Sequence, residues 1–342
     1  MERISLARFN KIAFVWGGTG WHVTPIVSLI HQHQTHRLKY IWLGWSNSME
    51  EKEAAREKVD FYPIALLKWV TIFNPFILLW PFYLIVGTFQ ARKILLREKP
   101  DLVFSKGWPG ALSVALASRL LMIPIWMHES DTKPSLISQF IGALAQRVFL
   151  GFKDGGVFFR ESKCTLIGQI IHPDFHLPPK EFRYWKTTKS HILVACGSQG
   201  SKNIFEAIIK SSKYTDVEWI VLLGTLNQNF REKFQWFQNI TLYDWIDPHT
   251  FASILRGTNL LITRWSATTL AESDLFWVKK LIIPLPSSSM QHQYFNAKWY
   301  KENKDDILLE ESNIKELSAI ITKTLWADII DQSMKRENDF LR

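Results

Sequence analysis

The sequence predicts an α/β protein built from two similar domains, and three observations carry that prediction. Residues 11–15 read as a short buried strand, a glycine turn follows at 17–20, and residues 26–31 open a helix. The same succession of strand, small-residue loop and helix returns at 191–210. Between and after these two units, short apolar runs alternate with helical patterns, as parallel strands joined by crossover helices do. A chain of 342 residues also exceeds one ordinary core.

The first turn, Gly17-Gly18-Thr19-Gly20-Trp21-His22, joins a strand end to a helix start. Unpaired backbone N–H groups and the positive end of a helix converge in such a turn, which suits a phosphate or diphosphate. Glycine turns also occur in parallel sheets without a ligand, so this turn alone leaves both readings open. No Gly-Lys-Ser/Thr follows, which excludes a P-loop, and the spacing is not that of a dinucleotide fingerprint. A strand at 38–44, an exposed charged helix at 48–58 and a third strand at 61–66 come next.

Residues 72–89 form the most apolar stretch, and Arg92, Lys93 and Arg97 follow it. Pro75 and Pro81 oppose one straight membrane-crossing helix. The stretch reads either as a buried core helix or as one lying in a lipid interface with its basic residues at headgroup level.

A strand at 100–105 leads into Lys106-Gly107-Trp108-Pro109 and an Ala/Leu-rich helix. Another at 123–127 runs into His128-Glu129-Ser130-Asp131. Open α/β sheets bind ligands at such polar strand ends, and Asp131 is equally suited to cap the next helix. Pro173, Pro178 and Pro179 mark 152–190 as the linker region. The second half then supplies a strand at 191–196, the loop Gly197-Ser198-Gln199-Gly200-Ser201 and a helix at 203–210. Strands at 219–223, 260–263 and 280–284 follow, with the stretch 264–274 carrying Glu272 and an acidic helical region at 307–342.

The net charge of +9, from 41 basic and 32 acidic residues, points to an anionic partner: nucleic acid, a membrane surface or a phosphorylated substrate. The basic residues are dispersed and form no nucleic-acid recognition motif, so nucleic acid is not expected. Cys164 and Cys196 show neither metal-ligand spacing nor a disulfide framework. Residues 1–10 are polar and basic with no leader pattern, which makes the cytoplasm the expected compartment.

Six motifs in order carry a resemblance. They are Gly17-Gly18-Thr19-Gly20-Trp21-His22, Ser105-Lys106-Gly107-Trp108, His128-Glu129-Ser130-Asp131, Gly197-Ser198-Gln199-Gly200, Thr268-Thr269-Leu270-Ala271-Glu272, and His292-Gln293 with Asn296-Ala297. Through nearly its whole length the chain resembles the MurG family of glycosyltransferase family 28. These enzymes transfer N-acetylglucosamine from UDP-GlcNAc to the lipid-linked muramyl-pentapeptide of peptidoglycan synthesis (lipid I to lipid II). The resemblance implies a GT-B fold: two Rossmann-like domains with parallel sheets facing an interdomain cleft. The expected domains are 1–162 for acceptor and membrane, 163–328 for the UDP-sugar, and a C-terminal helix at 329–342 returning to the first domain.

By the same resemblance, Thr19, Gly20 and Trp21 receive the polyprenyl-diphosphate acceptor, and His22 is the general base for the attacking sugar hydroxyl. Asp131 positions a hydroxyl of donor or acceptor. Ser198 meets the donor phosphates, Arg264 adds positive charge there, the backbone of Ile246 reads the uracil, and Glu272 accepts from the ribose. Ala267, Thr268, Thr269, His292, Gln293 and Asn296 complete the donor contacts. His172 stands where the family motif Gly-Asn-Pro-x-Arg has its arginine, and His292 where some relatives carry a second glutamine. The implied reaction is a direct displacement with inversion, needing no cofactor and no metal. The acceptor's lipid tail adds weight to an interfacial role for 72–89, and the expected location is the cytoplasmic face of the cell membrane, held peripherally.

Tryptophan is conspicuous: the chain has 16, as many as its glycines. Glycine thus makes up about 5% of the chain, against roughly 7% in average proteins. Trp16, Trp21, Trp45, Trp108, Trp265 and Trp277 fall at or beside positions where the family has glycine, chosen because a Cβ obstructs positive φ or close approach of a phosphate. The expectation is that these codons are UGA, read as glycine in the source organism. Trp42 suits its strand and is expected to be authentic. Two other readings remain: the same fold acting on another lipid or glycan acceptor, and a non-catalytic UDP-sugar-binding relative with tryptophan-blocked loops.

Overall fold

The computed structural model describes residues 4–15, 23–33, 37–65, 80–107, 109–181, 184–187, 189–197, 199–211, 217–264, 266–286 and 292–325. The chain divides into two compact units, Met1–Pro173 and Asp174–Arg342. In the first, β1 (Lys11–Val15), α1 (Thr24–Gln32), β2 (Lys39–Gly44), α2 (Met49–Arg56) and β3 (Asp60–Pro63) are followed by α3 (Trp80–Glu98), β4 (Leu102–Ser105) and α4 (Pro109–Leu120). The unit closes with β5 (Ile125–Glu129), α5 (Leu136–Leu144), β6 (Arg147–Leu150) and β7 (Cys164–Leu166).

The second unit runs β8 (Ser190–Ala195), α6 (Lys202–Ser211), β9 (Val217–Leu222), α7 (Phe230–Phe234), β10 (Ile240–Tyr243) and α8 (Pro248–Leu255). After these come β11 (Leu260–Thr263), α9 (Ala267–Asp274), β12 (Lys279–Ile282), α10 (His292–Lys304) and β13 (Ile307–Leu308).

Both sheets have all described pairings parallel. Their orders are β3-β2-β1-β4-β5-β6-β7 and β10-β9-β8-β11-β12-β13. The two therefore share one topology, a Rossmann order whose direction reverses beside the first strand of each unit. Parallel strands need cover on both faces, and the first sheet shows it by alternation. Ile12, Phe14, Leu102 and Phe104 pack with Ile26 and Leu29 of α1. Their neighbours Ala13, Val15 and Val103 pack with Ala91 and Leu95 of α3 and Ala111 and Val114 of α4. In the second sheet Ile192, Val194, Val221 and Ile262 share a core with Phe205 of α6 and Phe230 and Phe234 of α7. Trp42 is wholly buried against Phe14, as its strand position suggests.

The structure differs from the sequence reading at the unit boundary. Ending the first domain at 162 would detach β7, which pairs with β6 through Val148↔Cys164 and Leu150↔Leu166 and completes the first sheet. The expected linker at 152–190 thus holds a strand and the short 3-10 turns Lys153–Phe158, Glu161–Lys163 and Pro173–His176. Of the apolar stretch 72–89, residues 80–89 form the first half of α3, with Pro81 at its start, where a missing N–H removes no helical bond. The remaining 72–79 and the expected helix at 329–342 lie outside the described residues.

Candidate functional site

In an open parallel sheet the ligand site forms beyond the carboxyl ends of the strands, where the strand order reverses. That rule points to the loops after β1 and β4 in the first unit and after β8 and β11 in the second. The loop after β1, with Thr19, Gly20, Trp21 and His22, lies outside the described residues, as does Ser198.

In the first unit a buried polar cluster lies past the ends of β4 and β5. Lys106, just past β4, donates from Nζ to His128 Nδ1 at 2.7 Å and to the hydroxyl of Ser130. An ammonium donating to Nδ1 leaves the imidazole neutral with its proton on Nε2, which donates to the carbonyl of Gly168 at 3.0 Å. Burial, reinforced by the Lys106 charge, holds the His128 pKa well below its ordinary value. Burial also holds Lys106 below the usual ammonium range and pushes the Glu129 carboxyl up.

Glu129 accepts from the backbone N–H of Asp131 at 2.9 Å, while its other oxygen, Oε2, is buried without a partner among the described residues. Gly107 turns the chain here at φ +77°, and a Cβ would stand 2.6 Å from Ser138 Oγ. Asp131 sits half-buried at this strand end and does not cap α5: that helix is capped by Ser135, which accepts from Ser138 N–H.

His172 is placed elsewhere. It is buried with its ring 4.9 Å from that of His31, in the last turn of α1, and His31 pairs with Glu57 at 2.7 Å. A nine-residue helix is about 13 Å long. His172 therefore lies against the last turn of α1, at the end of that helix away from Thr24. The family arginine's position is occupied, but the side chain is committed to an internal contact.

The second unit gathers more of the expected residues. Gly197 and Gly200 bend the loop after β8 at φ +92° and +73°. A Cβ on Gly200 would meet the Leu223 carbonyl at 2.0 Å, so only glycine fits. Asn227 Nδ2 donates to the Gln199 carbonyl at 2.6 Å and fixes the loop's crest. Arg264 leaves the end of β11, and Ser266 caps α9 by accepting from Thr269 N–H.

Ala267, Thr268 and Thr269 make the first turn of α9. The Thr269 hydroxyl is buried without a partner among the described residues. Glu272, one turn further, is buried, and burial pushes its carboxyl up to about 8.

Gln293 Oε1 accepts from Leu285 N–H at 2.7 Å, and Asn296 is fully buried on α10, the helix that begins at His292. Ile246 is half-buried between β10 and α8. Gly200, Ser201, Arg264, Pro286 and Glu311 line a recess of about 650 Å3. Glu311 was not expected from sequence. It pairs with Arg264 at 2.7 Å, so the arginine fork is engaged by protein rather than left open to a ligand.

Comparison with known proteins matches this arrangement. The chain fits the glycosyltransferase family 28 N-terminal domain over residues 12–150 and the glycosyltransferase family 28 C-terminal domain over 191–339. A protein of Sulfurihydrogenibium sp. (strain YO3AOP1) is 26% identical over 95% of this chain and 91% of its own length. One of Clostridium botulinum (strain Loch Maree / Type A3) is 28% identical over 90% and 88%. Both are named UDP-N-acetylglucosamine--N-acetylmuramyl-(pentapeptide) pyrophosphoryl-undecaprenol N-acetylglucosamine transferase. Among solved structures, Acinetobacter baumannii MurG superposes with a TM-score of 0.72 at 22% identity, covering 92% of this chain and 90% of that one. Two Rossmann-ordered units, each matching its half of one enzyme family, give the assignment: the chain belongs to glycosyltransferase family 28.

Proposed function

We propose that this glycosyltransferase moves N-acetylglucosamine from UDP-GlcNAc to the lipid-linked muramyl-pentapeptide that precedes peptidoglycan cross-linking. The observation that carries this reading is breadth of likeness: relatives named for that reaction match 90–95% of the chain. The site chemistry supports it. The second unit binds the donor: the glycine loop after β8, with Ser198, takes the diphosphate, and the positive end of α6 faces the charge that grows on departing UDP. Ile246 reads the uracil through its backbone. Glu272 and the first turn of α9 hold the ribose, and His292, Gln293 and Asn296 hold the sugar side.

The first unit binds the acceptor diphosphate at Thr19, Gly20 and Trp21 and positions the attacking hydroxyl near Asp131. His22 removes that hydroxyl's proton as its oxygen bonds to C1 of the sugar and UDP leaves from the opposite face, which inverts the centre.

The acceptor's lipid tail requires a membrane contact. No described helix is long and apolar enough to cross a membrane. Instead α3 exposes Phe82, Ile85 and Phe89 on one face, with Arg92 and Lys93 further along. An apolar row ending in cations suits an anionic lipid surface, so the protein works peripherally, at the cytoplasmic face. The test is transfer of radiolabelled N-acetylglucosamine from UDP-GlcNAc to a lipid-linked muramyl-pentapeptide. Product with inverted configuration supports the proposal. UDP-GlcNAc binding without turnover points to a non-catalytic relative, and turnover only on another acceptor redirects the substrate.

A further inference from the structure

The loop after β8 is fixed on one side by steric contact and on the other by a charge network. On the first side Gly200 lies against the Leu223 carbonyl, and Gly200 N–H closes the turn on the Gly197 carbonyl at 3.1 Å. On the second, Arg264 Nη2 donates to Ser201 Oγ at 2.6 Å, and Ser201 is the buried residue from which α6 starts. Arg264 itself is held by one carboxylate. Glu311 Oε2 accepts from Nη1 at 2.7 Å and Oε1 from Nη2 at 3.0 Å, a two-pronged pairing of matching geometry. Glu311 Oε1 also accepts from Asn203 Nδ2 at 2.6 Å, and Asn203 lies in the first turn of α6.

One carboxylate therefore ties the end of β11 to the helix start that receives the loop. Its own backbone is anchored, because Leu309 N–H, two residues earlier, bonds the Ile282 carbonyl of β12 at 3.0 Å.

Both partners are largely enclosed, with side-chain exposures of 14% for Arg264 and 9% for Glu311. Burial works to raise the Glu311 pKa, but the hydrogen bonds from Arg264 and Asn203 hold it below the ordinary carboxylate range, so it stays ionised at neutral pH. An enclosed ion pair of this kind adds little net charge to attract a phosphate. Its contribution is directional, since a fully satisfied network allows one arrangement of the groups it joins.

From this geometry we propose that Glu311 is a positioning residue for donor binding: it touches no substrate, and through Arg264 and Asn203 it sets the loop backbone at residues 197 and 199–201 where the diphosphate of a nucleoside-diphosphate sugar can meet it. This rests on the second unit being the donor site. The rival role for the same contact is a stand-in anion, a carboxylate that occupies Arg264 until a phosphate displaces it. The two roles predict opposite signs. A positioning residue, when removed, weakens donor binding, whereas a stand-in anion, when removed, strengthens it.

The experiment is titration calorimetry of UDP into the full-length wild type, Glu311→Ala and Glu311→Gln, with steady-state kinetics and thermal melts on the same preparations. Glu311→Ala is expected to raise the UDP dissociation constant and the KM for UDP-GlcNAc by roughly tenfold or more, since small misplacements of binding groups carry penalties of that size. The acceptor KM is expected to stay within about twofold, because donor binding alone depends on the network. Glu311→Gln keeps the shape and one acceptor oxygen and should fall between the two; it also serves if the alanine variant does not fold. UDP binding that is unchanged or tighter in the folded variants overturns the proposal. Failure of the wild type to bind UDP overturns instead the assignment of the donor to this unit.

Discussion

Trp277 sits just past the end of α9 at φ +57°, with 93% of its surface exposed. Val278 N–H reaches back to the Ser273 carbonyl at 3.3 Å and Trp277 N–H to Asp274 at 3.3 Å, the hydrogen-bond pattern of a helix end that favours glycine. A side chain in the left-handed region costs about 1–2 kcal/mol, and an exposed indole recovers little of it by burial. Glycine gives part of that gain back through the freer unfolded chain, about 0.4–1 kcal/mol. Trp277→Gly is therefore expected to stabilise the protein by roughly 0.5–1 kcal/mol, read as a higher denaturant midpoint at unchanged slope. A lower midpoint would show that the indole makes a contact that matters. Glu272 gives a second test at this scale. Burial raises its folded pKa from 4.5 to about 8, so the folded state holds the proton more tightly than the unfolded one. The associated stability is fully present below pH 4.5 and is lost as pH rises towards about 8. Glu272→Gln removes that loss: the variant's melting temperature should gain on the wild type between pH 5 and pH 8, and a constant difference across that range would refute the assignment. The same variant should weaken UDP-sugar binding, because an amide replaces the group proposed to meet the ribose.

At the scale of elements, α3 divides its apolar residues between a buried face and an exposed one. Ala91 and Leu95 are buried in the first unit's core, while Phe82, Ile85 and Phe89 are 63%, 55% and 69% exposed on another face. Residues spaced by three and four lie together on a helix, so the exposed row is contiguous and continues into Arg92 and Lys93. Replacing Phe82, Ile85 and Phe89 together with Ser should leave the fold intact, because none is in the core. It should abolish co-sedimentation with vesicles containing anionic lipid, since burying each side chain is worth about 1.5–3 kcal/mol. Binding that survives the triple change would place the membrane contact elsewhere. The helix was only partly legible from sequence. Apolar residues through 89 gave no period that separated a core face from an interfacial one, and the division became visible only when α4 covered one side. Strands β6, β7 and β10 escaped notice for a different reason. Each has three or four residues, too few to show a pattern. Asp131 looked like a helix cap because its residue type suits one, yet Ser135 stands nearer the helix and takes that place.

Across the whole molecule, what could be read locally was read: glycine turns, strand ends and the repetition of one Rossmann order are short-range signals. What escaped depends on distant pairs, such as Arg264 with Glu311, separated by 47 positions, whose contact no local pattern announces. His172 shows the same limit, since the contact of its ring with that of His31, 141 positions away, is announced by no local pattern. The tryptophans turn this local legibility into a prediction about the entire chain. Both units use glycine where backbone and neighbour nearly touch, as at Gly107 and Gly200, where a Cβ would stand 2.6 Å and 2.0 Å from its nearest neighbour. By the family resemblance, Trp16, Trp21, Trp45, Trp108, Trp265 and Trp277 are expected to stand at or beside positions that call for glycine, in both units. A single change in codon reading accounts for all of them, whereas independent substitutions would have to strike corresponding turns one by one. The coding DNA is therefore expected to read UGA at all six codons and UGG at codon 42, where Trp42 is fully buried. The protein carrying glycine at the six positions should transfer N-acetylglucosamine faster than the tryptophan form by more than roughly tenfold, because turns that bind phosphate tolerate little displacement. UGG at codons 21 and 108, or equal turnover by the two forms, would mean that tryptophan is native to these turns.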